Sequence, residues 1–285
     1  MFFFLIIINL FLTTRAKLIL FSYSPHTDHL SAMYINNKYY LWRKLLSAFS
    51  KAMGILYLIP NTLGQSDIDS VLPAYNISVA KNLRHFIVEN VRSARRFLKM
   101  LDRDIVIDDL SFYELNRHTP PDRIAELLLP IYEGHSMGII SEAGCPAIAD
   151  PGADVVAIAQ RKNIRVVPLV GASSIILSLM ASGFNGQSFA FVGYLPIDKK
   201  ARIQRLKQLE SRASSERQTQ IFIETPYRNN QLVQDMVATL KPDTLLCIAS
   251  ELTTDTESVK TLPIAEWAKQ QIDINKRNTI FLIYR

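Results

Sequence analysis

The chain has 285 residues, 48% of them hydrophobic and 20% charged, a composition that excludes a disordered protein and suits one large or two ordinary domains. Its two cysteines, Cys145 and Cys247, stand far apart in no metal-like spacing, which excludes a disulfide framework, suits a reducing compartment and reads each as a small buried hydrophobe. The net charge of +6 does not by itself indicate nucleic acid: residues 1–52 hold six basic residues and one acid, leaving 26 basic and 25 acidic residues for 53–285, so any polyanion must be read by local clusters.

Met1 is followed by an eleven-residue, largely apolar run, Phe2–Leu12, and then by Arg15 and Lys17. A membrane-spanning helix needs about 20 apolar residues, so the run is short for a span. It also lacks the basic start and nearby small-residue cleavage site of a secretory signal. Residues 21–52 carry Tyr, Asn and His without a clean period. A membrane anchor, a genuine extra segment and an upstream start read in place of Met53 all fit. An ordered strand pattern beginning within two residues of Met53 favours the third, and membrane association is not expected.

From Met53 onward strands and helices alternate. Ile55–Ile59 predicts a strand ending in Pro60-Asn61-Thr62-Leu63-Gly64, and His85–Glu89 a second one. Val91, Ala94, Phe97, Leu98 and Leu101 then recur at helical spacing. A polar, proline-containing connection leads to a helix over 122–132. The apolar Met137–Ile140 reads as a buried strand, Gly152–Lys162 as a helix, and Ile164–Val170 as a strand closing at Gly171. A helix follows and closes at Gly183. Strands are expected near 189–195, 219–224, 244–249 and 279–284, with helices at 199–211 and 227–240. This interleaving predicts an α/β protein with substantial parallel pairing. Its two α/β domains are residues 53–170 and 171–285, behind an N-terminal extension of residues 1–52.

Four loops at strand ends carry the chemistry: 60–64, 142–152, 169–174 and 224–228. The stretch Ser141-Glu142-Ala143-Gly144-Cys145-Pro146-Ala147-Ile148-Ala149-Asp150-Pro151-Gly152 is the longest, and exceeds the two to six residues that a plain strand-to-helix connection needs. Glycine lets a backbone approach a ligand and proline fixes the loop's path. Loops at the carboxyl ends of parallel strands are where α/β sheets hold ligands, although each alone reads equally as a turn. No G-x-x-x-x-G-K-[ST], no G-x-G-x-x-G after the first strand, no zinc-type His/Cys spacing and no G-x-S-x-G occur. Metal and acyl-enzyme chemistry are therefore not expected. Arg92, Arg96, Lys99 and Arg103 fall on one face of the helix over 91–101 with Arg95 beside them, directly after a strand end. A second basic set, Lys199, Lys200, Arg202, Arg205 and Lys207, reads as a solvated helix face.

In this order the loops resemble the tetrapyrrole (corrin and porphyrin) methylase superfamily, and within it the small-subunit ribosomal RNA ribose 2′-O-methyltransferases. That branch reads P-T-P-I-G-N where this chain has Pro60-Asn61-Thr62-Leu63-Gly64-Gln65, and E-D-T-R-x-x-R-R-L-L where it has Glu89 to Leu98. Its S-D-A-G-T-P-x-I-S-D-P-G resembles Ser141 to Gly152, and P-L-P-G-P-S-A resembles Pro168 to Ser174. G-[FY]-L-P-x-K-K is similar to Gly193 to Lys200, Y-E-S-P-H-R to Ile223 to Arg228, and E-L-T-K to Glu251 to Thr254. The likeness covers residues 53–285. Departures are Asn90 and Val91 for Asp and Thr, Glu142 for Asp, Cys145 for Thr, Ala149 for Ser, and Val170 and Ala172 for prolines.

The resemblance implies S-adenosylmethionine as methyl donor, held in a cleft between the two α/β domains, in a cytoplasmic homodimer without metal. The donor set would be Pro60, Gly64, Glu142, Ala143, Gly144, Cys145, Ile148, Asp150, Gly171, Ala172 and Ser173. The implied reaction is 2′-O-methylation of a cytidine ribose in small-subunit ribosomal RNA. A ribose hydroxyl is a poor nucleophile, so a proton acceptor helps; Glu89 and Glu224 are the candidates, each also readable as a carboxylate at a helix N-terminus. Arg92, Arg95, Arg96, Lys99 and Arg228 would meet the RNA, and Tyr227 would stack on a base or simply pack. Two other readings stay open: methylation of a corrin or porphyrin precursor, and donor binding without catalysis.

Overall fold

The structure, a computed structural model, describes residues 53–116 and 119–285. The expectations for residues 1–52 lie outside the described residues. In chain order the first half runs β1 (Leu56–Ile59), α1 (Ile68–Val71), α2 (Ala74–Asn82), β2 (His85–Val88), α3 (Val91–Leu101), β3 (Ser111–Glu114), α4 (Pro121–Ile124), α5 (Leu129–Tyr132), β4 (Met137–Ile140), α6 (Gly152–Arg161) and β5 (Val166–Pro168).

These strands form one sheet in the order β3-β2-β4-β1-β5, parallel throughout. β1 aligns Leu56 with Met137 and Ile59 with Ile140, and β2 aligns His85 with Met137. A parallel sheet must be covered on both faces, and the apolar runs supply both. Ile59, Phe86, Val88 and Ile140 face α2 and α3, where Val79, Ala94, Phe97 and Leu98 fill one core. Leu56, Ile87, Met137 and Ile139 face the other way, onto Val155 and Ala159 of α6 and onto Leu128 and Ile131. All the carboxyl ends of the strands therefore lie along one edge.

The second half runs α7 (Ser174–Ser182), β6 (Phe189–Tyr194), α8 (Lys199–Ser215), β7 (Thr219–Ile223), α9 (Asn229–Thr239), β8 (Leu245–Ser250), β9 (Ser258–Pro263), α10 (Ile264–Trp267) and β10 (Thr279–Tyr284). Its sheet has the order β6-β7-β10-β8-β9. Only β6 and β7 pair in parallel; β10 runs antiparallel to β7 and β8, and β9 antiparallel to β8. Leu206, Leu209, Leu232 and Met236 of α8 and α9 pack on one face against Phe222 and Phe281. Leu179 of α7 packs on the other against Ile221, Cys247 and Leu282.

The expected α/β class stands, while parallel pairing is confined to the first sheet and one pair of the second. The helix expected over 122–132 is three short pieces, α4, a 3₁₀ turn over Ala125–Leu128, and α5. Pro130 lacks the N–H that a continuous helix would use there. Cys247 is fully buried, as read from the sequence, and Cys145 half-buried. Among the described residues no helix is long and apolar enough to cross a membrane.

Candidate active site

The loops after β1, β4 and β5 are knitted to one another at the carboxyl edge of the first sheet. Asn61 N donates to Gly144 O at 2.9 Å, and Gly144 N donates back to Thr62 O at 3.4 Å. The buried Asn61 side chain donates from Nδ2 to the carbonyls of Ser141 and Glu142, at 3.0 and 3.2 Å, and Ser141 Oγ donates to Gly144 O at 2.7 Å. Gly144 takes φ +67°, a conformation that glycine adopts without steric cost. A Cβ on Gly171 would lie 2.3 Å from Pro60 Cβ. These glycines thus let loop approach loop.

Cys145 fastens the third loop: its Sγ donates to Ala172 O at 3.4 Å. Burial pushes the Cys145 thiol up, which keeps the proton on this donor. Ser173 caps α7 without a side-chain hydrogen bond to its first turn, so N–H groups there have no hydroxyl partner. Ala143, Ile148 and Val170 are exposed around these loops, Pro60 and Ala172 are buried, and Leu63 leans on the core beneath α7. Gly64 meets the other half of the molecule, where its Cβ would come within 2.8 Å of Thr254 Cγ2, and Ser66 Oγ is 3.1 Å from Thr253 Oγ1.

The 147–152 turn is held by one carboxylate. Asp150 Oδ1 accepts from Ala147 N at 2.9 Å and Gly152 N at 2.8 Å. Around it Ala147 and Ala149 take φ of 64° and 60°, left-handed values that cost a side-chain-bearing residue about 1–2 kcal/mol each. Desolvation raises the Asp150 pKa, against the opposing pull of those two N–H groups.

Beside this lies the start of α3. Asn90 caps it, its Oδ1 accepting from Arg92 N and Ser93 N at 2.9 and 3.1 Å. The replacement of aspartate by asparagine therefore preserves the cap. Ser93 Oγ donates to Glu142 Oε1 at 2.5 Å, and Glu142 N donates to Glu89 Oε1 at 3.5 Å. Glu89 and Glu142 thus meet at the junction of α3 and the β4 loop. Arg92, Arg95, Arg96 and Lys99 are exposed on α3, and the Arg95 guanidinium lies 5.5 Å from the Phe112 ring centre.

Glu224 and Arg228 are occupied with each other. Glu224 is 5% exposed, and its Oε1 accepts from Thr225 N at 2.6 Å and from Arg228 Nε and Nη2 at 3.0 and 2.5 Å. Tyr227 between them is 75% exposed and so does not pack. The second basic set is not one solvated face. Arg202 is 7% exposed, its guanidinium donating to Asp235 Oδ2 at 2.8 and 2.6 Å.

Sequence reading missed a cleft of about 860 Å³ between α6 and the ends of β2 and β3. Glu89 and Asp150 line it, and so do Leu115, Asn116, Asp154 and Arg161. Its one legible signal is the spacing of Asp154, Ala157, Ile158 and Arg161, which puts them on one face of α6.

No family model matches the chain. Among solved structures it resembles the methyltransferase CobJ, at 14% identity and a TM-score of 0.56, over 81% of this chain and 94% of that one. Diphthine synthase is similar at 15% identity and a TM-score of 0.57, over 81% and 90%. The chain thus has the two-sheet α/β fold of these proteins. Curated relatives narrow this. The Vibrio cholerae protein named ribosomal RNA small subunit methyltransferase I is 30% identical over 81% of this chain and 77% of its own. Its namesake from Synechocystis is 31% identical over 70% and 68%. The one from Halalkalibacterium halodurans is 33% identical, but the match spans 66% of this chain and only 61% of that protein. The chain belongs to the ribosomal RNA small subunit methyltransferase I family, a family of methyltransferases.

Proposed function

We propose that the protein transfers a methyl group from S-adenosylmethionine to the 2′-hydroxyl of a cytidine in small-subunit ribosomal RNA, as a cytoplasmic homodimer. The observation that carries this reading is the junction at Glu89. The interlocked loops after β1, β4 and β5 meet the start of α3, whose exposed face carries Arg92, Arg95, Arg96 and Lys99. The residues present fit the donor. Half-buried Leu63 and exposed Ile148 and Val170 offer apolar surface to an adenine, while the uncapped first turn of α7 offers N–H groups to a carboxylate. Exposed Ile176 and Met180 on α7, with Phe189 on β6, offer apolar surface for the second copy.

When bound, the donor supplies a methyl group on a positively charged sulfur. The chain has to hold the ribose oxygen in line with it at about 3–3.5 Å and accept the hydroxyl proton as the carbon–oxygen bond forms and the carbon–sulfur bond breaks. We assign the proton to Glu89, which stands at the junction of the β4 loop with α3. The arginines of α3 hold phosphates, and Arg228 is oriented by Glu224.

The test is transfer of labelled methyl from the donor to small-subunit ribosomal RNA. Wild type is expected to label one ribose, and Glu89→Gln to lower kcat by about 10²-fold or more with donor affinity retained in calorimetry. Wild-type protein that binds the donor and labels no ribosomal RNA would overturn the reading.

A further inference from the structure

The cleft between α6 and the ends of β2 and β3 opens beside the loops assigned to the donor. Glu89 and Asp150 line it; Glu89 accepts from Glu142 of the β4 loop and Asp150 pins that loop's turn. Its volume of about 860 Å³ lies within the range of small-molecule sites, about 300–1,000 Å³. Its floor is apolar: Leu115 is 2% and Ile124 6% exposed. One wall is a single face of α6, where Asp154, Ala157, Ile158 and Arg161 follow the spacing i, i+3, i+4, i+7. The small apolar pair sits in the middle with opposite charges at the two ends. Among the described residues neither Asp154 nor Arg161 forms an ion pair.

Asp154 and Arg161 at the two ends of that face, with the apolar pair between them, fit a flat ring with an amino group at one edge and a carbonyl at another. Its faces lie on alanine and isoleucine, its amine donates to a carboxylate, and its carbonyl accepts from a guanidinium. Cytosine has that pattern, and its exocyclic amine is the group that Asp and Glu accept from in nucleic-acid recognition.

We propose that this cleft is the acceptor subsite, taking the target cytosine unstacked from its neighbours, with Asp154 reading the amine and Arg161 the carbonyl. The inference rests on the proposed function and deepens it. Asp154 and Arg161 are specificity residues and do not touch the donor. The ribose then lies toward Glu89, and the flanking phosphates toward Arg92 and Arg96 on α3, which starts two residues beyond Glu89. Extruding a base from its stack costs a few kcal/mol in general, which the arginine contacts offset.

The experiment compares methyl transfer to a ribosomal RNA fragment carrying the target cytidine and to the same fragment with uridine there, which replaces the amine by a carbonyl. Full-length wild type, Asp154→Asn, Arg161→Ala and Ala157→Phe are each tested. Wild type is expected to prefer cytidine by about ten-fold or more in kcat/KM, and Asp154→Asn to lose most of that preference because its amide also donates to the uridine carbonyl. Arg161→Ala is expected to raise KM for both RNAs with donor affinity unchanged in calorimetry. Ala157→Phe should raise it further by filling the cleft from its α6 wall, and the two charge variants, on an exposed helix face, keep the test valid if it does not fold. Unchanged preference in Asp154→Asn together with unchanged KM in Arg161→Ala would overturn the cleft assignment and leave the enzyme assignment standing. Wild type that labels neither RNA would overturn the functional reading itself.

Discussion

A methyl group added at Gly171 would stand 2.3 Å from Pro60 Cβ and 2.6 Å from its Cγ. Both atoms belong to a stiff ring on a loop already tied to Gly144, so the strain has nowhere inexpensive to go. Gly171→Ala is expected to cost about 1–3 kcal/mol, the range for overpacking, seen as a lower midpoint in thermal unfolding; an unchanged midpoint would mean that the two loops are further apart. Asp150 shows the opposite case, a charge the fold tolerates at a cost. Because desolvation raises its folded pKa, the folded state binds the proton more tightly than the unfolded one. That penalty is absent below the ordinary carboxylate range and fully present once pH exceeds the folded value, so it grows with rising pH. Asp150→Asn keeps the acceptor for Ala147 N and Gly152 N and removes the charge. The variant is expected to match or exceed wild-type stability near neutral pH, with the advantage vanishing as pH falls below the carboxylate range. Denaturant titrations at two pH values decide it, and a variant less stable at neutral pH than at acid pH, relative to wild type, would refute this account.

Among elements, the contact of α8 with α9 is the one that charge controls most directly. Arg202 and Asp235 are nearly buried, and Arg202 also donates to the carbonyls of Pro196 and Ile197 at 3.1 and 2.6 Å. Removing one partner leaves an uncompensated buried charge, a loss of about 3–5 kcal/mol, whereas exposed Lys207 on the same helix should tolerate alanine within about 0.5 kcal/mol. Equal effects of Arg202→Ala and Lys207→Ala in chemical denaturation would contradict the burial of the pair. A basic run such as 199–207 does not reveal in sequence which of its members turns inward, because that depends on an acid in another helix 33 positions away. The same limit hid three other features. The edge strands β3 and β9 carry polar or half-exposed residues and give neither an apolar run nor strict alternation. Asp154 and Arg161 read as the solvent side of an amphipathic helix, since Val155 and Ala159 mark its core side; only the fold shows that this side borders a cleft. By contrast the buried strands β1, β2 and β4, and the helix α3, were legible because burial on both faces leaves a continuous apolar run and burial of one helix face leaves its 3.6-residue period. The interlocked loops were legible as a group of glycines and prolines at strand ends, although the partners of each glycine were not.

Over the whole molecule, charge is distributed so that recognition of a polyanion must be local. Residues 53–285 carry 26 basic and 25 acidic side chains. A uniformly basic surface would hold any RNA in any register. A near-neutral body with an exposed basic face on α3 holds phosphates there and leaves the cleft beside Glu89 to choose the base. The salt dependence of binding measures this division. Each phosphate neutralised by a side chain contributes about 0.7 to the slope of log K against log salt for single-stranded nucleic acid. Replacing Arg92, Arg95 and Arg96 together by alanine is therefore expected to flatten that slope by about 2. Replacing Lys199, Lys200 and Lys207 on α8 should leave it unchanged, since that helix packs on the second sheet. The arginines are exposed on α3 while Ala94, Phe97, Leu98 and Leu101 hold its buried face, so the triple variant should unfold at nearly the wild-type temperature and its weakened binding can be assigned to lost phosphate contacts. Equal slopes for both triple variants would show that the protein meets RNA through its overall field and would remove α3 from the binding face.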